Sequence, residues 1–154
     1  MKKFYRLAAL TSALAVLAIV GCISTPGTPG AMGTSIDAST LGGGLRMTGD
    51  QEVPPVSTQA LGAVTIAVSA DGAVQGVIST VGIVATMAHI HLGAPGVNGP
   101  PIVTLTKTAE GKWLVPANSR LSAEQLKAYR AGGMYVNVHS DAHKDGEIRT
   151  QLRP

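Results

Sequence analysis

The sequence predicts an all-β, Greek-key-like sandwich of about seven to eight short strands, with one short crossover helix at about 122–131. Three observations carry that expectation. Apolar and polar residues alternate with period two through most of the chain beyond residue 40. Turn residues punctuate the alternation, drawn from 19 glycines and nine prolines. One stretch alone, opening at Ser122-Ala-Glu-Gln125, carries helix-start chemistry.

The elements follow in chain order. Leu45 to Thr48 is a weak first strand. Val64, Ile66 and Val68 alternate with Thr65, Ala67 and Ser69, the pattern of a half-buried strand. Asp71-Gly72 is a hairpin turn signal, and Val74 to Thr80 is the return strand. Thr86 to Leu92 is another strand. Gly93 to Pro101 reads as loop, because its glycines and prolines suit turns and break ladders. Ile102 to Thr106 and Trp113 to Val115 are short strands. The helix begins with a capping box, Ser122 at the N-cap and Gln125 three residues on, with Leu121 and Leu126 placed for a hydrophobic staple. Gly132-Gly133 ends it. Met134, Val136 and Val138 then alternate with Tyr135, Asn137 and His139, and Ile148, Thr150 and Leu152 alternate with Glu147, Arg149 and Gln151. Aromatic residues make up only 3% of the chain, so Trp113 and Tyr135 are expected in the core.

The N-terminus has the form of a targeting segment. Lys2, Lys3 and Arg6 precede an uncharged run from Leu7 to Val20, too short to span a bilayer comfortably. It ends in Ile19-Val20-Gly21-Cys22, which resembles a bacterial lipobox, with the only cysteine of the chain at the acylated position. The resemblance implies that residues 1–21 are a lipoprotein signal peptide and that Cys22 is lipidated. It also implies an exported, membrane-anchored protein; Ile23 after the cysteine favours the outer membrane, facing periplasm or surface. Each buried methylene of such an anchor contributes about 0.8 kcal/mol. Twelve of the 17 residues from Ser24 to Thr40 are Ser, Thr, Pro or Gly, so residues 22–40 form the lipidated cysteine and a flexible linker. Residues 41–154 form the folded domain.

Charge and cysteine usage exclude several classes. The formal charge is +3, with 12 basic and nine acidic residues; without Lys2, Lys3 and Arg6 the two signs balance. The domain therefore offers no electrostatic case for nucleic acid. A lone cysteine excludes a disulfide framework. Ser140, Asp141 and His143 crowd one turn and lack a Gly-x-Ser-x-Gly elbow, and the glycines at 93, 96 and 99 lack the lysine of a phosphate loop. No enzyme is expected.

Three ordered segments resemble the CHRD domain, named after chordin. They are Leu45-Arg-Met-Thr-Gly-Asp-Gln-Glu-Val-Pro-Pro-Val56, Ala88-His-Ile-His-Leu-Gly93 with its Ala-Pro-Gly-Val-Asn-Gly-Pro100 continuation, and Gly133-Met-Tyr-Val-Asn-Val-His139 closing with Gly146-Glu-Ile-Arg149. Together they span about residues 45–153. Departures are Thr150, where the family pattern has a small residue, and Ala142-His143, where it often has a proline turn. The resemblance implies a domain type and settles no activity; the growth-factor antagonism of chordin is not transferred.

All four histidines fall in two of these segments. His89 and His91, two apart on a strand, project to one face, a spacing that lets two imidazoles hold one metal. His139 lies on a second strand, opposite in face to Val136 and Val138. If these strands are neighbours, His89, His91 and His139 make a site suited to Cu or Zn. The strand His-x-His before a glycine-rich loop is also similar to copper–zinc superoxide dismutase, although this domain lacks a cysteine pair and a bridging histidine. The competing reading places the histidines with Asn137, Glu147 and Arg149 in a structural polar network. His143, Asp141 and Glu52 are accessory candidates. Asp141-Ala-His-Lys-Asp145-Gly146 is similar to the start of a calcium loop but reads better as a hairpin turn. Glu52 is expected to clasp Arg46 or Arg149 as an ion pair. The leading functional expectation is a non-catalytic binding module with an unknown protein or polymer partner; the alternative is a copper- or zinc-binding protein, with redox activity only if copper is held.

Overall fold

The computed structural model describes residues 44–154. The expectations for the signal peptide, Cys22 and the linker lie outside the described residues. Two antiparallel sheets pack face to face, and the all-β expectation holds. The strands are β1 (Leu45–Met47), β2 (Leu61–Val68), β3 (Val74–Val81), β4 (Ala85–Leu92), β5 (Pro101–Thr104), β6 (Thr106–Ala109), β7 (Lys112–Leu114), β8 (Met134–Ser140) and β9 (Ile148–Gln151), with helix α1 (Ala123–Arg130) between β7 and β8. The first sheet has the order β1-β2-β3-β7-β6 and the second β5-β4-β8-β9. β3–β7 and β4–β8 are therefore neighbours that the chain reaches by crossing between sheets.

The inner faces supply the core. Val64, Ile78 and Trp113 of the first sheet face Ala88, Ile90, Val136, Val138 and Ile148 of the second, all within one buried apolar cluster. The period-two pattern dictates this, because successive side chains on a strand point to opposite faces. Helix α1 closes one end. Ser122 accepts from the Gln125 amide at 3.2 Å and its own amide donates to Gln125 Oε1 at 2.8 Å, the reciprocal capping box the sequence predicts. Tyr129 buries against the core, and its hydroxyl donates to the Arg153 carbonyl.

Both sheet edges are joined to the opposite sheet. At one edge Thr48 and Arg149 form an antiparallel bridge between the ends of β1 and β9. At the other, the strand expected over Ile102–Thr106 breaks at Leu105. That residue donates its amide to the Ala88 carbonyl, drops its side chain into the core, and sends the chain from β5 in the second sheet to β6 in the first. β6 itself is exposed along its length, so it carries no apolar alternation by which the sequence could signal it.

β8 departs from the half-buried expectation in a way that positions the site. All seven of its residues are buried. Met134, Val136 and Val138 face the core, whereas Tyr135, Asn137 and His139 face away from it. These outward residues are covered by the loops following β4 and β8.

Candidate functional site

The outer face of the second sheet carries a layer of polar side chains. The antiparallel register of β4 and β8 sets Met87 opposite His139, His89 opposite Asn137, and His91 opposite Tyr135. β9 extends the rows, with Arg149 opposite Asn137 and Gln151 opposite Tyr135. Strands from two distant segments thus bring His89, His91 and His139 together. One ring nitrogen of each lies within 4.8 Å of the other two. Asp141, His143 and Glu52 lie outside that group.

Hydrogen bonds settle which nitrogens carry protons. His91 Nδ1 lies 2.9 Å from the Gly99 carbonyl, and His139 Nδ1 lies 2.8 Å from the Lys144 carbonyl. A carbonyl only accepts, so both Nδ1 atoms are the N–H donors, and in the neutral rings both Nε2 atoms carry lone pairs. His89 Nδ1 lies 2.9 Å from His139 Nε2, so His89 donates there. All three rings are held below the ordinary imidazole range, which keeps them neutral at pH 7. Burial is the main cause, and His89 is lowered to about 4, with the neighbouring imidazoles adding to the effect.

The loops that cover the layer are themselves tied down. Arg149, 2% exposed, donates from Nη1 to Asn98 Oδ1 at 2.9 Å and from Nη2 to the Val97 carbonyl at 3.0 Å. Its guanidinium lies 3.4 Å from the centre of the Tyr135 ring, and Tyr135 stacks on His91 with 4.7 Å between centroids. Asn98 Nδ2 reaches back to the Val53 carbonyl at 2.6 Å. Gly99 has to be glycine because a Cβ there would overlap the Leu92 carbonyl. The glycine-rich loop thus serves to carry a carbonyl to His91.

On the other side, Ser140 donates to Glu147 Oε2, and Thr58 donates to Glu147 Oε1 at 2.7 Å, which fixes the turn that presents the Lys144 carbonyl to His139. Asp141 is exposed in this turn, and His143 lines a shallow cavity together with Glu52. The turn joins β8 to β9, the hairpin reading of Asp141–Gly146.

One expectation needs correction. Glu52 forms no ion pair with Arg46 or Arg149; the ion pairs among the described residues are Lys107–Glu110 and Arg120–Asp71. The Arg149 guanidinium bonds to Asn98 and Val97 instead. Glu52 is instead buried beside Asn137, and burial pushes its carboxyl up to about 7 against the opposing charge of Arg149. Trp113 and Tyr135 are both buried as expected, at 2% exposure, with Tyr135 on the polar-layer side of its sheet. Asn98 has a structural part that sequence reasoning missed; a single asparagine in a glycine-rich loop gives no local signal of what it reaches.

Several buried polar atoms have no partner. Among the described residues these include Glu52 Oε1, His91 Nε2 and Asn137 Oδ1, all in this layer. The Asn137 side chain lies beside both Glu52 and His91. An unsatisfied buried polar atom costs roughly 1–3 kcal/mol. The imidazole nitrogen and the amide oxygen are lone-pair donors, so a cation or a proton donor completes them.

The three nitrogens can converge on a transition-metal ion by side-chain rotation. Metal–nitrogen bonds of about 2.0–2.1 Å put two tetrahedral ligands roughly 3.3–3.4 Å apart, so the widest spacing of 4.8 Å must close by about 1.4 Å. The His89–His139 hydrogen bond must open by less than that. The backbone carbonyls on the two Nδ1 atoms are the kind of partner that orients a ligating imidazole.

Neither a curated protein nor a solved structure shows significant similarity to the chain. The family model of the CHRD domain matches residues 45–152, which span every strand of both sheets and the whole polar layer. The chain therefore belongs to the CHRD domain family.

Proposed function

We propose that this CHRD domain is a non-catalytic binding module whose ligand is a copper or zinc ion, held by His89, His91 and His139 and carried outside the cytoplasm on an N-terminal lipid at Cys22. The observation that carries the metal reading is His91 Nε2. It is a buried nitrogen that makes no well-formed hydrogen bond, with the Asn137 side chain beside it, in a ring whose other nitrogen is already committed to a carbonyl. His139 has the same arrangement, and its Nε2 is occupied only by a neighbouring histidine.

A purely structural layer is the competing reading, favoured by the carbonyl bonds of His91 and His139. The two separate by metal titration. The metal reading expects one tightly held equivalent of copper or zinc, lost in the His89→Ala/His91→Ala variant. Metal content unchanged in that variant, or no binding at micromolar metal, would refute it. Binding should weaken as the imidazoles protonate. Because all three are held below the usual range, the loss should begin at lower pH than for exposed histidines. The lipid anchor is tested separately, by mass spectrometry of the exported protein; an unmodified Cys22 would exclude it.

A further inference from the structure

The three histidines share their face of the sheet with one more candidate ligand. Met87 precedes His89 and His91 on β4 at the same two-residue spacing, and it sits directly opposite His139 on β8. Side chains opposite one another in an antiparallel pair have Cβ atoms about 4.5–5.5 Å apart, well within reach of an unbranched thioether. Its side chain is also accessible. Met47 and Met134 are 0% and 1% exposed in the core, whereas Met87 is 45% exposed. Val77, Val84, Val97 and Leu114 are exposed to a similar or greater degree, so what singles Met87 out is its place in line with the histidines.

Resting on the metal reading above, we propose that Met87 is the fourth ligand of this site and that the ion it selects is Cu(I). Four ligands of this kind carry no charge: three neutral imidazoles and a thioether. The cost of moving an ion out of water rises with the square of its charge, so a half-buried set of neutral ligands favours a monovalent ion over a divalent one. Thioether sulfur is a soft ligand that pairs with Cu(I) and adds little for Zn(II). The geometry also gives the site a direction. His91 lies at its buried end, while the half-buried His89 and the exposed Met87 form its mouth, where an ion enters and leaves.

The test uses the full-length chain in detergent, on a Cys22→Ser background that removes its single thiol. Cu(I) is supplied anaerobically against a chromophoric competitor, and Zn(II) is titrated in parallel. Met87→Leu, which keeps volume and apolarity, should weaken Cu(I) binding about tenfold or more while leaving Zn(II) binding and the circular dichroism spectrum unchanged. X-ray absorption at the copper edge should show a sulfur neighbour that disappears in the variant. Wild-type Cu(I) binding with no sulfur neighbour, or unchanged affinity in Met87→Leu, would overturn the role of Met87 and leave the three-histidine site standing. No binding of either metal by the parent chain would overturn both.

Discussion

Two titratable residues of the polar layer act on stability in opposite directions. His89 is held near 4 in the folded protein, chiefly by burial. As pH falls from about 6.5, the unfolded chain takes up a proton that the folded one refuses, so its contribution is full above 6.5 and is lost toward 4. Glu52 is the reverse case. Its carboxyl is raised to about 7 by burial, so the folded protein keeps a proton between about 4.5 and 7 that the unfolded chain releases. The Glu52 contribution is therefore full below 4.5 and fades as pH rises through 7. Glu52→Gln should leave stability near pH 4.5 unchanged and raise it at pH 8, by an amount on the order of 1–3 kcal/mol. Chemical denaturation of the metal-free protein at the two pH values measures this; a loss at pH 8 would show that the ionised carboxylate is stabilising. Gly99→Ala should cost about 1–3 kcal/mol and release the His91 ring, because its Cβ would overlap the Leu92 carbonyl. Amide hydrogen exchange across residues 93–100 should rise in that variant.

At the scale of elements, legibility depended on whether a signal was local. The capping box of α1 could be read because both partners lie within four residues, and the side-chain and backbone bonds are present as expected. Ser122→Ala should cost about 1 kcal/mol in thermal or denaturant unfolding, with no change in metal affinity. The β2–β3 hairpin was equally plain, since Asp71-Gly72 fits its tight turn and Gly72 has φ of +86°. By contrast β6 is four exposed residues, and its membership of the first sheet depends on Leu105 turning a corner. Nothing in Thr106–Ala109 specifies that turn. The outward residues of β8 show the same limit: alternation predicted their face, but their burial comes from loops that reach over them.

For the molecule as a whole, the two sheets share one core and are joined at both edges, so a ligand held by β4 and β8 stabilises the entire domain. Copper or zinc at about a hundredfold over its dissociation constant should add about 2.7 kcal/mol to unfolding. For a domain of this size that is a rise in Tm of roughly 10–20 °C. Differential scanning calorimetry with and without metal measures it, and an unchanged Tm in the presence of binding would mean that the ion is held by the unfolded chain as well. Ile148→Ala, a core truncation at a residue with 0% exposure, should cost about 2–5 kcal/mol and lower stability with or without metal.

Residue alternation and turn chemistry by themselves determined the fold class, most strand positions, the helix with its cap, and the single face shared by His89 and His91. These properties follow from side-chain direction and backbone sterics within a few residues. Three matters were decided only by the tertiary structure. It set β4 beside β8, so that His89 met His139 from 50 positions away. It turned the Gly93–Pro100 loop and the Asp141–Gly146 turn over the polar layer, which gave His91 and His139 their carbonyl partners. It also buried Glu52 without an ion pair. Such pairings between distant strands are chosen by the joint burial of two inner faces, a collective quantity that no local spacing encodes.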